Sequence, residues 1–119
     1  MKSLLLLAVL LFNVNSITIT KTLKSKAIVI PEHVQCVQWD EDYTKIVVDI
    51  SSHTDKIETL SKLGRYDIHV NRHDNTTSVV SMPNIKNHVF IGGEQLTEKV
   101  SWIVYHPKET IIFKSNKIQ

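Results

Sequence analysis

The sequence predicts an all-β domain, either a small antiparallel β-sandwich or a partly open barrel, of about eight or nine strands with one short helix. The first observation behind this is that β-branched segments alternate apolar and polar residues with period two. The second is that Pro, Gly, Asn and Asp bound these segments, as turn residues do. The third is that a single segment, near residues 55–63, shows helical spacing.

The predicted strands are short and lie between turn signals. They cover residues 17–21, 27–30, 34–39, 43–50, 66–71, 76–82, 89–91, 100–105 and 109–113. Where two strands are separated by only a few polar residues, the spacing predicts a local hairpin. The predicted hairpins join 34–39 to 43–50, 66–71 to 76–82, and 100–105 to 109–113.

The predicted helix covers residues 55–63. Asp55 can cap its first turn, with Glu58 as the reciprocal partner of a capping box. Gly64 can end it, because glycine adopts the left-handed conformation that commonly follows a helix. Apolar residues recur at every third position, at Ile57, Leu60 and Leu63. We expect this helix to cross from one sheet to the other or to close one end of a barrel.

Residues 1–16 have the layout of a cleavable secretory signal peptide. An unbroken apolar run, residues 4–12, precedes Val14 and Ser16 at the −3 and −1 positions of a cleavage site after Ser16. The run is too short for a spanning helix, which needs about 20 apolar residues, and no later segment approaches that length. We therefore expect a secreted or periplasmic protein whose single all-β domain, residues 17–119, carries no integral membrane segment.

Composition argues against several classes of partner and scaffold. The net charge is only +2 and no block of like charges occurs, so we expect neither nucleic acid nor an anionic membrane surface as a partner. One cysteine excludes an intramolecular disulfide framework. The domain must therefore be stabilised by packing of its core rather than by covalent bridges.

Cys36 is predicted to lie in the core. If the acidic loop 40–42 closes a three-residue hairpin, Cys36 lies opposite Ile46 on the most apolar face of the chain, and Trp39 lies opposite Tyr43 on the other face. A buried cysteine acts as a small hydrophobic side chain. A four-residue loop would instead place it opposite Val47. An exposed Cys36 would allow an intermolecular disulfide, and the sequence leaves that alternative open.

Motifs for catalysis or cofactor binding are weak. His69 and His73 are separated by about 13 Å of extended chain, too far to share a metal unless the turn folds back. No spacing of Cys and His residues fits a zinc site, and no nucleophile-elbow motif is present. We therefore predict a non-enzymatic protein with no cofactor and no metal site. Asn75 begins an N-x-T sequon in a predicted turn and is a possible glycosylation site.

The predicted hairpin of residues 100–113 is the candidate partner-binding surface, because it is apolar on both faces and a single core covers only one of them. The alternatives are that the helix or a loop covers the second face, or that the strand lies at the centre of a sheet. Aromatic residues outside the core are enriched at protein interfaces, so Trp102 is the leading anchor. The candidate contact residues are Trp102, Val100, Val104 and Ile112.

These features favour an exported, non-enzymatic binding or assembly module that acts through protein–protein contacts. One alternative is a carrier of a small apolar ligand between the sheets, and another is a glycan-active enzyme of an unrecognised class. The sequence leaves open the source, the partner, the sheet order, the oligomeric state and the modification of Asn75.

Overall fold

The computed structural model describes residues 14–117 and contains ten strands, one α-helix and one short 3₁₀ helix. The elements are β1 (Asn15–Leu23), β2 (Ala27–Pro31), β3 (Gln35–Trp39), β4 (Thr44–Ser52), α1 (Ile57–Lys62), β5 (His69–Arg72), β6 (Thr77–Ser81), the 3₁₀ helix (Pro83–Lys86), β7 (Phe90–Ile91), β8 (Glu94–Gln95), β9 (Lys99–Pro107) and β10 (Ile111–Ser115). Every predicted strand is present within a few residues, and β8 is the strand that the sequence did not predict.

Two four-stranded sheets form the body of the domain. Sheet A has the strand order β1-β4-β9-β3 and sheet B has the order β10-β2-β6-β5, while β7 and β8 form a separate two-stranded ribbon. The structure is mostly β, with 53% of residues in strands, and the predicted all-β sandwich with one short helix is confirmed.

The strand directions correct one detail of that prediction, because the sheets are mixed rather than antiparallel. β3 runs parallel to β9, and β2 runs parallel to both β10 and β6. The physical reason is that the chain crosses repeatedly between the two sheets, so that strands adjacent in space come from distant parts of the sequence. Such neighbours can run in the same direction, whereas the two arms of a hairpin cannot.

Only one of the three predicted hairpins forms. β5 and β6 pair antiparallel as expected, with Val70 opposite Val80. The first predicted hairpin is wrong because β9 lies between β3 and β4. Cys36 is therefore paired with Val104, which in turn is paired with Ile46 on its other side.

The predicted hairpin of residues 100–113 is also wrong, because β9 belongs to sheet A and β10 to sheet B. The intervening residues do form a turn, in which the Thr110 N–H donates to the Pro107 carbonyl oxygen at 3.1 Å. That turn carries the chain from one sheet to the other instead of folding it back within one sheet.

The core lies between the inner faces of the two sheets. Sheet B contributes Ile28, Ile30 and Val80, all fully buried, and sheet A contributes a larger set. The inner side chains of sheet A are Ile46, Val48, Ile50, Trp102 and Val104. Each buried aliphatic side chain stabilises the fold by about 1.5–3 kcal/mol, and with a single cysteine in the sequence the fold depends on this burial rather than on disulfides within the chain.

The helix connects sheet A to sheet B, as predicted, but it is shorter than expected. Lys56 precedes its first residue, and no side chain caps it, so Asp55 does not form the predicted capping box. Ile57 is fully buried and anchors the helix to the core. At the other end, Gly64 has φ +91° and the Arg65 N–H donates to the Leu60 carbonyl oxygen at 3.0 Å, which is a Schellman motif.

The predicted signal peptide lies mostly outside the described residues, which begin at Val14. The proposed cleavage site after Ser16 falls at the start of β1, where Ser16 is paired with Ser51. Between residues 14 and 117, no helix is long and apolar enough to cross a membrane.

Candidate protein-contact surfaces

The four predicted contact residues lie in or against the core. Trp102 is only 4% exposed and Val104 is fully buried, while Val100 and Ile112 are partly buried and pack against the same cluster. β9 is an inner strand of sheet A, flanked by β4 and β3, and Trp102 and Val104 lie on its core-facing side. The expectation that Trp102 is exposed in the free monomer was wrong, because it depended on a hairpin that does not form.

The outer face of sheet A carries an apolar surface that no other element of the described chain covers. Because Trp102 and Val104 point inward, the alternate residues of β9 point outward. The register places Val37 of β3 beside Tyr105 of β9, and Ile103 of β9 beside Val47 of β4. We call this surface the outer patch; its residues are Val37, Trp39, Tyr43, Val47, Ile103 and Tyr105.

The aromatic rings of the outer patch are held in fixed positions. The Trp39 ring lies 5.1 Å from that of Tyr43 in an edge-to-face arrangement and 5.4 Å from that of Tyr105 at an angle of 34°. The indole N–H of Trp39 donates to the carbonyl oxygen of Tyr43 at 2.8 Å. These contacts order the rings before any partner binds, so little side-chain entropy remains to be lost on binding. Val37, at 41% exposed, is the most accessible member.

Acidic residues border the outer patch at one end. Asp40, Glu41 and Asp42 follow Trp39 directly and are all exposed or partly exposed. The Lys24 ammonium lies 3.2 Å from a carboxylate oxygen of Asp42, but both side chains are more than two-thirds exposed, so this ion pair contributes little stability. The border at this end is therefore negatively charged, while Lys45, aligned with Tyr105 on the same face, places one basic side chain beside the apolar residues. Apolar residues with polar residues around them are typical of a protein interface.

A second apolar surface lies at the β10 edge of sheet B. Ile111 is 56% exposed and Phe113 is 51% exposed. Phe113 is aligned with Val29 of β2, which is aligned with Val79 of β6, so the three side chains form a row across the outer face of sheet B. The edge strands elsewhere in the two sheets carry at most one large exposed apolar residue each, Val37 of β3 being one.

The only largely buried ion pair among residues 14–117 joins Arg65 to Glu98. The guanidinium donates to Glu98 at distances down to 2.5 Å and also to the backbone carbonyl oxygens of Asn84, Ile85 and Asn87. The Tyr66 hydroxyl donates to the other carboxylate oxygen of Glu98 at 2.5 Å.

This cluster has a structural role. Burial and the Glu98 carboxylate raise the pKa of Tyr66 well above its ordinary value, because both stabilise the neutral hydroxyl. Each polar group has a partner, so the cluster ties the 3₁₀ helix and the segment before β9 to the end of α1.

Several clefts lie at the end of the sandwich near this cluster. The cleft beside Arg65 has a volume of about 500 Å³, and another of about 360 Å³ lies beside His53. Within the described part of the chain, no three His, Cys, Asp or Glu side chains are grouped so that they could hold a metal ion. His88 lies in the first cleft with its ring nitrogen 2.8 Å from the Gln95 amide, and no nucleophile is paired with it there.

Cys36 is less buried than the predicted core position requires, whereas Asn75 lies in a turn as predicted. Cys36 faces inward and packs against the core but is only half-buried. Burial raises the pKa of its thiol, and the nearby Lys114 ammonium opposes that rise without cancelling it. Asn75 is exposed in the turn between β5 and β6, accessible to a modifying enzyme, and its glycosylation stays a prediction.

Comparisons with family models, with curated proteins and with solved structures gave no match. The functional argument therefore rests on the surfaces of this chain. The sequence did contain a signal for the outer patch, because alternation placed Trp39 and Tyr43 on the face opposite the core. Tyr105, Ile103 and Val47 join them only through the pairing of β9 with β3 and β4, which local sequence patterns do not specify.

Proposed function

We propose that this protein is an exported, non-enzymatic binding or assembly module and that the outer patch of sheet A is its protein-contact surface. The observation that carries the proposal is the uncovered, pre-ordered group of aromatic and aliphatic side chains on that face. Single apolar residues on a surface are ordinary. Six of them adjacent across neighbouring strands, with an acidic border, are typical of a binding site.

The chemistry of the patch suits a protein partner. Tryptophan and tyrosine supply large contact areas with few rotatable bonds and are enriched among the residues that dominate binding energy. Trp39 already contacts Tyr43 and Tyr105, so a partner side chain would pack on a fixed surface. The carboxylates beside it favour a partner with basic residues at the edge of its own contact surface.

The arrangement gives less support to the alternatives. An enzyme needs groups whose environments differ enough to separate acid from base, and the buried groups in the Arg65 cluster are fully paired with one another. A carrier needs space between the sheets, where thirteen buried side chains form one cluster. An aromatic face also stacks on sugar rings, so glycan binding is an outcome that capture from the native source would detect.

Export rests on the sequence of residues 1–16, and cleavage after Ser16 would remove the first two residues of β1, Asn15 and Ser16. The apolar run 4–12 ends before the sandwich begins at Asn15. Cleavage after Ser16 would leave Ile17 as the first residue, and Ile17 keeps its pairing with Ile50. N-terminal sequencing of protein from the medium or periplasm should begin at Ile17. An intact Met1 on protein recovered from the cytoplasm would contradict export.

Binding is tested by capture from the native source with three forms of the mature domain as bait. Val37→Lys places a charge in the outer patch on an exposed edge strand, whereas Ser101→Lys places one on an exposed position of the same face beyond the patch. A partner protein should be retained by the wild type and by Ser101→Lys and lost with Val37→Lys. Retention by all three forms, or retention of glycans alone, would refute the proposed surface.

A further inference from the structure

The free edge of sheet B is formed by β10, which pairs with β2 on one side and with no strand of residues 14–117 on the other. The Ile111 N–H donates to the Lys26 carbonyl oxygen at 2.9 Å and so points toward β2. Backbone groups alternate in direction along a strand. The N–H and C=O groups of Ile112 and Lys114 therefore point to the open edge and can pair with another strand, whereas the Thr110 N–H is already bonded to the Pro107 carbonyl oxygen.

We propose that β10 pairs antiparallel with β10 of a second copy of this chain, centred on Ile112, to give one continuous eight-stranded sheet across a dimer. This contact lies on sheet B and goes beyond the proposed function, which uses the outer face of sheet A. The self-complementary sequence of the strand argues for a second copy as the occupant.

Pairing centred on Ile112 uses the free backbone groups at the middle of the strand. It places Ile112 opposite the partner's Ile112, so that residues whose backbone groups point to the edge face each other, and it places Thr110 opposite the partner's Lys114. It also places Ile111 opposite the partner's Phe113 on the outer face. Those two exposed apolar side chains then cover each other, twice over by symmetry.

Neighbouring registers that preserve the hydrogen-bond pattern bring less compatible side chains opposite each other. Moving the centre to Ile111 places Lys114 opposite the partner's Lys108 and Phe113 opposite Glu109, so like charges face each other and the aromatic ring faces a carboxylate. Moving the centre to Phe113 places Ile111 opposite the partner's Ser115, which leaves the isoleucine without an apolar partner. The register centred on Ile112 is the one that pairs the apolar residues and keeps like charges apart.

The charged residues near β10 do not block this contact. Lys114 belongs to the inner side of the strand, because it is aligned with the buried Ile30. A lysine in that position discourages pairing with many strands. In the proposed register it faces Thr110 of the partner, which carries no charge. The selectivity for a second copy then arises from the same residues that discourage other strands.

The first experiment measures the dimer by sedimentation of the mature domain over a range of concentrations. The wild type should dimerise, and Phe113→Lys should weaken the dimer at least about tenfold. Asn71→Lys is the matched control, because Asn71 lies in the same row of the sheet at its opposite edge, on β5, and should leave the dimer unchanged. A wild type that stays monomeric into the high micromolar range would overturn the proposal.

The second experiment reads the register by disulfide formation in a Cys36→Ala background. A chain with Ile111→Cys is mixed with a chain with Phe113→Cys, and mass spectrometry separates the mixed disulfide from the two self-disulfides. The proposed register predicts an excess of the mixed species, because directly opposite, non-hydrogen-bonded residues bring their Cβ atoms closest. Excess self-disulfide, or cross-linking no faster than between His69→Cys and Asn71→Cys chains on β5, would overturn it.

Discussion

The Trp102→Ala variant tests whether Trp102 is a core residue or an exposed binding anchor. The side chain is 4% exposed and belongs to the core cluster between the two sheets. About 200 Å² of aromatic surface at about 25 cal/mol per Å² gives a transfer free energy of about 5 kcal/mol. Part of that surface is already buried in the unfolded chain, and the remaining cavity adds a further cost. We expect the free energy of unfolding to fall by about 3–5 kcal/mol.

Urea denaturation followed by circular dichroism measures this loss. For a domain of this size each kcal/mol lowers the melting temperature by about 4–8 °C, so thermal unfolding provides a second measurement. Val37→Ala, at an exposed position of the same sheet, is the matched control and should cost less than about 1 kcal/mol. A Trp102→Ala protein with an unchanged unfolding curve would show that β9 does not face the core, and the strand order β1-β4-β9-β3 would be refuted.

Other consequences concern the buried cluster, a turn and the thiol. Glu98→Ala should lower the free energy of unfolding by about 3–5 kcal/mol in urea, because it leaves the Arg65 guanidinium buried without its carboxylate; a loss below about 1 kcal/mol would show that solvent replaces Glu98. The pKa of Tyr66 is raised in the folded state, so the neutral hydroxyl contributes fully to the free energy of unfolding below the ordinary tyrosine pKa of about 10. That contribution is lost as the pH rises further, and Tyr66→Phe should abolish this part of the loss of stability at alkaline pH. Hydrogen bonds from Thr76 and Thr77 lower the pKa of Asp74, so the Asp74 carboxylate contributes to the free energy of unfolding above the ordinary aspartate range and loses that contribution as the pH falls below it. An NMR titration in which Asp74 titrates like a free aspartate would contradict this. Cys36 should react with a thiol reagent more slowly in the folded protein than in denaturant, since burial raises its pKa, and equal rates would mean that the thiol is exposed.

The strands could be predicted from sequence because each depends on local alternation and turn residues. Their pairing could not, because it depends on which strands bury their apolar faces together. The two short polar segments before β4 and before β10 have the same length as hairpin loops, yet β9 lies between the strands that flank one, and the chain changes sheets at the other. Of the three predicted hairpin turns, only the one between β5 and β6 closes a hairpin, with Asp74 accepting hydrogen bonds from the Thr76 and Thr77 backbone N–H groups.

The predicted exposure of Trp102 was wrong for the same reason. An apolar pattern on both faces of β9 does not specify which strands pair with it or which of its faces meets the core. The pairing of β9 with both β4 and β3 decides this. That pairing buries Trp102 and brings Tyr105 beside Trp39 on the outer face. Residues far apart in sequence form the outer patch, so no short motif could have predicted it.

Site-specific photo-cross-linking in the source cells tests the central claim most directly. A photoreactive amino acid at Val37, in the outer patch, is compared with the same amino acid at Ser101, which is exposed on the same face of the same sheet. The account predicts a covalent adduct with a second protein from position 37 and none from position 101. Adducts from position 101 alone, or from neither position, would contradict the outer patch as the contact surface.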